Sequence, residues 1–121
     1  MCAIKVLIVD DSPTFARAAE QFLRGIPNVE ILGHAHSGAE ALAMAAQLSP
    51  TLVLMDLVMP GMDGLEATRR LKSQPNAPKI VILSVVDPEE YAALAHGAGA
   101  DAFVPKGELA NQLPSFIESM A

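Results

Sequence analysis

Four short apolar runs recur along the chain, and each leads into a residue able to do chemistry. Val6-Leu7-Ile8-Val9 is followed by Asp10 and Asp11, Leu52-Val53-Leu54-Met55 by Asp56, Ile80-Val81-Ile82-Leu83 by Ser84, and Phe103-Val104 leads to Lys106. Runs of this length, without polar alternation, fit strands buried on both faces of a parallel sheet. In an open parallel sheet the carboxyl ends of the strands share one edge and line one crevice. The pattern therefore predicts three carboxylates, a hydroxyl and an amine gathered at one place.

The segments between the runs have helical period. Ile4 to Val9 reads as the first strand, with Ser12 as N-cap and Pro13 opening a helix that buries Phe15, Ala18, Ala19, Phe22 and Leu23. Val29 to Ala35 is a second, weaker strand. Ser37 and Glu40 form a capping-box pattern before an Ala-rich helix that runs to about Leu48. Leu52 to Met55 is the third strand, and Asp63 opens a helix with Leu65, Thr68 and Leu71 inward. Lys79 to Leu83, a short helix from Pro88 to Gly97, Ala102 to Val104 and a last helix from Glu108 to Met120 complete the series. Five βα units predict an α/β fold: a (βα)5 doubly wound five-stranded parallel sheet with helices on both faces. The expected strand order is 2-1-3-4-5, which puts the first and third strands side by side at the switch point.

A length of 121 residues fits one domain, residues 1–121, with one core. With no tryptophan and one tyrosine, that core must be aliphatic. The net charge of −6 disfavours direct contact with nucleic acid phosphates. The single cysteine, Cys2, forms no internal disulfide and reads as a free thiol in a reducing compartment. No apolar run is long enough for a signal peptide or a membrane span, so a cytoplasmic location is expected.

Clustered acids need compensation. Two unit charges about 4 Å apart repel by roughly 4 kcal/mol at an effective dielectric near 20, so three carboxylates raise one another's pKa or recruit a cation. Mg²⁺ suits a few carboxylates completed by water. The expected ligands are Asp11 and Asp56, with Asp10 assisting. A carboxylate can attack phosphorus to form an acyl phosphate, a reaction governed by positioning and charge stabilisation. Lys106 can neutralise the side opposite the cation, and Ser84 can donate to a phosphoryl oxygen. Taken singly, the acids could cap a helix, Lys106 could be a solvated loop residue, and Ser84 could merely end a strand. Their joint placement after successive strands favours the shared site.

These residues resemble the response-regulator receiver domains of two-component signalling. The resemblance rests on Val9-Asp10-Asp11-Ser12, on the stretch from Met55 through Asp56 to Asp63-Gly64, on Ser84, and on Phe103-Val104-Pro105-Lys106. It spans essentially the whole chain and implies the CheY-like variant of the flavodoxin-like fold. It implies that Asp56 is the phosphoacceptor, supplied by a histidine kinase or a phosphotransfer protein. It implies Mg²⁺ held by Asp11, Asp56 and the Val58 carbonyl, with Asp10 in support, and Lys106 paired with the phosphoryl group. Ser84 and Phe103 match the family's switch pair, which reshapes the fourth helix, fifth strand and fifth helix for an effector domain, a partner protein or a second copy of the chain.

Some positions depart from the common pattern. Gly107 follows Lys106 where many receivers have proline, which loosens that loop. Val85 follows Ser84 where a smaller residue is usual, and its bulk is expected to narrow access to Asp56. The Ser84-Val85 pair resembles receivers of the NarL/LuxR type, often joined to a DNA-binding domain. Val58 and Val86 stand where polar residues often orient an attacking water, so a long-lived phosphoryl state is expected. His34 and His36 alternate on a strand and read as ordinary surface histidines, and His96 suits a helix C-terminus. Met59 and Met62 read as packing residues, since thioethers do not suit Mg²⁺.

The alternative is a Mg²⁺-dependent phosphatase of the haloacid dehalogenase type. That class usually places its nucleophile after the first strand, in Asp-x-Asp, whereas here the two acids are adjacent. An FMN binder would need a hydroxyl- and glycine-rich phosphate loop where Asp10 and Asp11 stand. A receiver serving only as a docking module would not need the intact acidic set.

Overall fold

The computed structural model describes residues 3–85 and 88–120. Its strands are β1 (Ile4–Val9), β2 (Val29–Ala35), β3 (Leu52–Asp56), β4 (Lys79–Ser84) and β5 (Ala102–Pro105). They alternate with helices α1 (Pro13–Arg24), α2 (Gly38–Leu48), α3 (Gly64–Lys72), α4 (Pro88–Gly97) and α5 (Leu109–Met120). The strands are parallel and ordered β2-β1-β3-β4-β5, as the sequence pattern predicts. The free thiol expected at Cys2 and the position of Val86 lie outside the described residues.

Side-chain alternation divides the core into two layers. Val6 and Ile8 of β1, Leu52 and Leu54 of β3, and Val81 and Leu83 of β4 face α1 and α5. Leu7 and Val9, Val53 and Met55, and Ile80 and Ile82 face α2, α3 and α4. Both faces are covered, so the central strands carry no polar alternation. Each fully buried Leu or Ile contributes about 1.5–3 kcal/mol, and both layers draw on such residues.

Local chemistry starts three of the helices. The Ser12 Oγ accepts from the Phe15 N–H, the Ser37 Oγ from Glu40 N–H and the Asp63 Oδ1 from Glu66 N–H, each cap contributing about 1 kcal/mol. The Glu40 carboxylate does not reach back to Ser37 but meets His36 Nδ1 at 3.2 Å.

Four details differ from the expectation. On α1 the buried line is Ala16, Ala19 and Leu23, whereas Ala18 is exposed and Phe15 and Phe22 are half-buried. On α3, Ala67 joins Thr68 and Leu71 inside while Leu65 is only partly covered. The expected start of the last helix, Glu108, lies instead in a 3₁₀ turn over Lys106–Glu108 that leads into α5. Strands β3, β4 and β5 also run one residue further than expected. Asp56 pairs with Leu83 and Ser84 with Pro105 inside the ladder, so the sheet itself fixes these two backbones.

Candidate functional site

The carboxyl edge of the sheet brings Asp10, Asp11, Asp56 and Lys106 together. The three aspartates each offer a carboxylate oxygen within 4.8 Å of the others. Asp10 and Asp56 are only 1% and 5% exposed, whereas Asp11 is open to solvent. The Lys106 Nζ reaches over from the end of β5, 2.9 Å from Asp10 Oδ2 and 3.4 Å from Asp56 Oδ1.

Backbone contacts hold Asp10 and Asp56 in place. Asp10 donates its N–H to the Ala35 carbonyl at 3.0 Å, and its own carbonyl accepts from His34 Nε2 at 3.3 Å. Its Oδ1 accepts from the Ser12 N–H at 2.7 Å. Beyond Asp56, the Leu57 N–H donates to the Leu83 carbonyl and the Gly64 N–H to the Leu57 carbonyl, both at 2.9 Å. These bonds turn the loop back onto α3. Gly61 takes the left-handed φ of +76° that the loop requires.

The electrostatics follow from burial. Loss of solvent raises the Asp56 carboxyl from its ordinary 3.8 to about 6. The Asp10 charge and a hydrogen bond with Asp11 push the same way, and the Lys106 ammonium pulls against them. One ammonium therefore faces more negative charge than it can neutralise. The buried Asp10 Oδ2 is close to Lys106 but has no aligned hydrogen bond. Three clustered carboxylates facing one ammonium, an all-oxygen donor set, fit a hard divalent cation completed by water. Asp11 and Asp56 would hold it, with Asp10 beside them.

The other expected residues take varied places. Ser84 is buried at the end of β4 on the same edge. Val58 follows Asp56 by two positions and is 63% exposed, and Val85 is 84% exposed. Phe103 is half-buried in the layer of α2, α3 and α4, packed with the cluster that includes Tyr91, Ala95 and Ala100. Met59 is buried and Met62 partly so, both in that layer, as packing residues. His96 is exposed in the last turn of α4. The His34 and His36 rings meet at a tilt of 41° with centroids 4.4 Å apart, outside the one acidic group suited to a metal among the described residues. A cleft of about 430 Å³ beside Pro50, Leu71 and Pro78 lies at the opposite, amino edge of the sheet and contains no charged residue.

Two contacts were not foreseen. The Lys106 Nζ stands 4.4 Å from the centroid of the Phe15 ring, and His34 supports the Asp10 backbone. The signal for Phe15 was its place in the first helical turn after the acidic pair, which sets it at the carboxyl edge. The signal for His34 was weaker, because a register shift between β1 and β2 at Val6/Leu7 sets which β2 residue faces the β1 end.

Comparison with known proteins agrees with this geometry. Residues 6–118 match the response regulator receiver domain family. The chain is 39% identical over 97 residues to the transcriptional regulatory protein LiaR of Bacillus subtilis, covering 78% of this chain and 46% of that protein. It is 39% identical over 107 residues to protein-glutamate methylesterase/protein-glutamine glutaminase 4 of Myxococcus xanthus, covering 86% of this chain and 30% of that one. The chain thus spans half or less of these curated relatives. The signal receiver domain of a NarL response regulator from Mycobacterium tuberculosis superposes with a TM-score of 0.91 at 25% identity, covering 99% and 97% of the two chains. NarL- and LuxR-type response regulators recur among the matches. With this family match over nearly its full length, the fold and the acidic edge have one common explanation: the chain belongs to the response regulator receiver domain family.

Proposed function

We propose that the chain accepts a phosphoryl group on Asp56 and passes the signal on as a change of surface. The observation that carries this reading is the convergence of Lys106 on Asp56 at 3.4 Å, beside Asp10 and Asp11. An Asp56 carboxylate oxygen attacks phosphorus while the bond from phosphorus to a donor histidine nitrogen breaks, and the imidazole leaves with a proton from solvent. The donor is a histidine kinase or a phosphotransfer protein.

Asp11, Asp56 and the Val58 carbonyl hold Mg²⁺, with Asp10 in support. When bound, the cation neutralises charge on the phosphoryl oxygens. Lys106 pairs with the phosphoryl group from the other side, and the Ser84 hydroxyl donates to it. The phosphoryl group adds up to about two negative charges and three acceptor oxygens. Charge-assisted bonds of about 1.5–3 kcal/mol each supply part of the roughly 5.5 kcal/mol needed to invert a two-state equilibrium.

Phe103 acts with Ser84 as the switch pair. A groove of about 280 Å³, lined by Ala92, Ala95, His96, Ala100 and Phe103, lies between α4 and β5. The small alanine side chains leave room for the ring to turn. The affected surface is α4, β5 and α5, which would meet an effector domain, a partner protein or a second copy of the chain. The −6 net charge argues against direct nucleic acid contact by this unit.

Residues 1–121 act as one receiver unit, a signalling phosphoacceptor rather than a turnover enzyme, in the cytoplasm. No helix among the described residues is long and apolar enough to cross a membrane. Incubation with acetyl phosphate and Mg²⁺, followed by intact mass, tests the reading. The wild type should gain one phosphoryl group and Asp56→Asn none. A wild type that gains nothing, or equal gain by both proteins, overturns it.

A further inference from the structure

We propose that Phe15 is a positioning residue for Lys106, its ring face holding the ammonium beside Asp10 and Asp56 ready for a phosphoryl oxygen. The inference rests on the phosphoacceptor reading and adds to it a residue from α1.

Four contacts close a circuit. The Ser12 N–H donates to Asp10 Oδ1 at 2.7 Å. The Phe15 N–H donates to Ser12 Oγ at 3.4 Å. The Phe15 ring centroid lies 4.4 Å from Lys106 Nζ, and that Nζ returns to Asp10 Oδ2 at 2.9 Å. The N-cap that starts α1 thus also sets the ring against the ammonium.

Lysine needs such a hold. Its side chain is long and flexible and binds as a point charge rather than a fork. The backbone fixes only where that side chain starts, since Pro105 pairs with Ser84 in the sheet and the Lys106 carbonyl accepts from the Leu109 N–H. The Lys106 side chain is nevertheless only 15% exposed. An aromatic face attracts the cation through its quadrupole and displaces water from one side, which strengthens the pull of the carboxylates. Leucine would cover similar area without that attraction.

The test uses beryllofluoride, a phosphoryl analogue, at saturating Mg²⁺, with binding followed by NMR. Phe15→Leu should weaken beryllofluoride about two- to tenfold while Phe15→Tyr stays near wild type, and Mg²⁺ affinity alone should change little. On a Lys106→Met background Phe15→Leu should have no further effect, since the partner charge is gone. Equal weakening on both backgrounds, or no rescue by tyrosine, overturns the proposal. In the wild type without beryllofluoride, the Lys106 Hε resonances should be displaced upfield by the ring current, and this reading needs no variant. Resonances at ordinary positions overturn the proposal. If wild type binds beryllofluoride and Phe15→Leu binds it equally, only the role of Phe15 falls. If wild type binds none, the phosphoacceptor reading falls and takes this inference with it.

Discussion

The α-carbon of Gly64 presses so closely on Asp56 that a Cβ at residue 64 would collide with the Asp56 carbonyl oxygen. The first residue of α3 is therefore what lets the loop after Asp56 fold back on itself.

Gly64→Ala should push the start of α3 away from the Asp56–Leu57 backbone. Overpacking of this kind costs about 1–3 kcal/mol, measurable by urea unfolding. Phosphoryl uptake from acetyl phosphate should slow at the same time. Wild-type stability together with wild-type uptake would show that the loop yields without moving Asp56.

Asp56→Asn should stabilise the protein at pH 8 without Mg²⁺. The folded carboxyl titrates near 6, above its ordinary 3.8, so the favourable protonated state is fully present below pH 4 and lost as pH rises through 6. Asparagine removes the buried charge. We expect a gain of about 1–2 kcal/mol at pH 8, after allowance for partial solvation, vanishing toward pH 4. A gain independent of pH would contradict the electrostatic cause.

Lys106→Met should bind Mg²⁺ more tightly, because the ammonium competes with the cation for Asp10 and Asp56. A tightening of about three- to tenfold is expected, with slower phosphoryl uptake. Calorimetric titration checks the first and intact mass the second. Weaker Mg²⁺ binding would mean that the lysine organises the acids more than it opposes the ion.

Asp101 ties the amino edge of the sheet. Its Oδ2 accepts from the Ile80 N–H at 2.8 Å and Lys72 Nζ at 3.0 Å, and Lys79 lies 3.7 Å from Oδ1. Burial pushes this carboxyl up, but the Ile80 bond and the two lysines together hold it below its ordinary value. Its contribution is present above the unfolded pKa and is lost as pH falls through the lower folded one. Asp101→Ala should cost about 1–3 kcal/mol at pH 7 and less in acid, by thermal or urea unfolding.

Val58, two positions after the proposed acceptor Asp56, carries an apolar, exposed side chain, unsuited to orient water. Val58→Asn and Val86→Glu should shorten the phosphoryl half-life severalfold, followed by mass against time. Unchanged half-lives in both variants would refute the assignment.

The sheet was legible because its central strands β1, β3 and β4 are covered on both sides and so appear as apolar runs. The aspartates and Lys106 were legible because each stands where such a run stops. Helix faces were harder to read. Ala16 and Ala18 are chemically identical but stand on nearly opposite sides of α1, and only the side that α1 turns to the sheet decides that the first is buried. The 3₁₀ start of the last segment was hidden for a similar reason, since Lys106-Gly107-Glu108 carries no apolar period. Contacts between distant elements, such as the Phe15 ring on Lys106, depend on assembly and leave little local trace.

The sheet also acts as a partition. A ring turning at Phe103 would disturb neighbours on α4, while α1 and α5 pack against the opposite side through Leu23, Leu113 and Ile117. On the proposed reading α4 and its edge of the sheet can vary with the signal while α1, across the sheet, keeps its shape, a constant landmark for the phosphoryl donor.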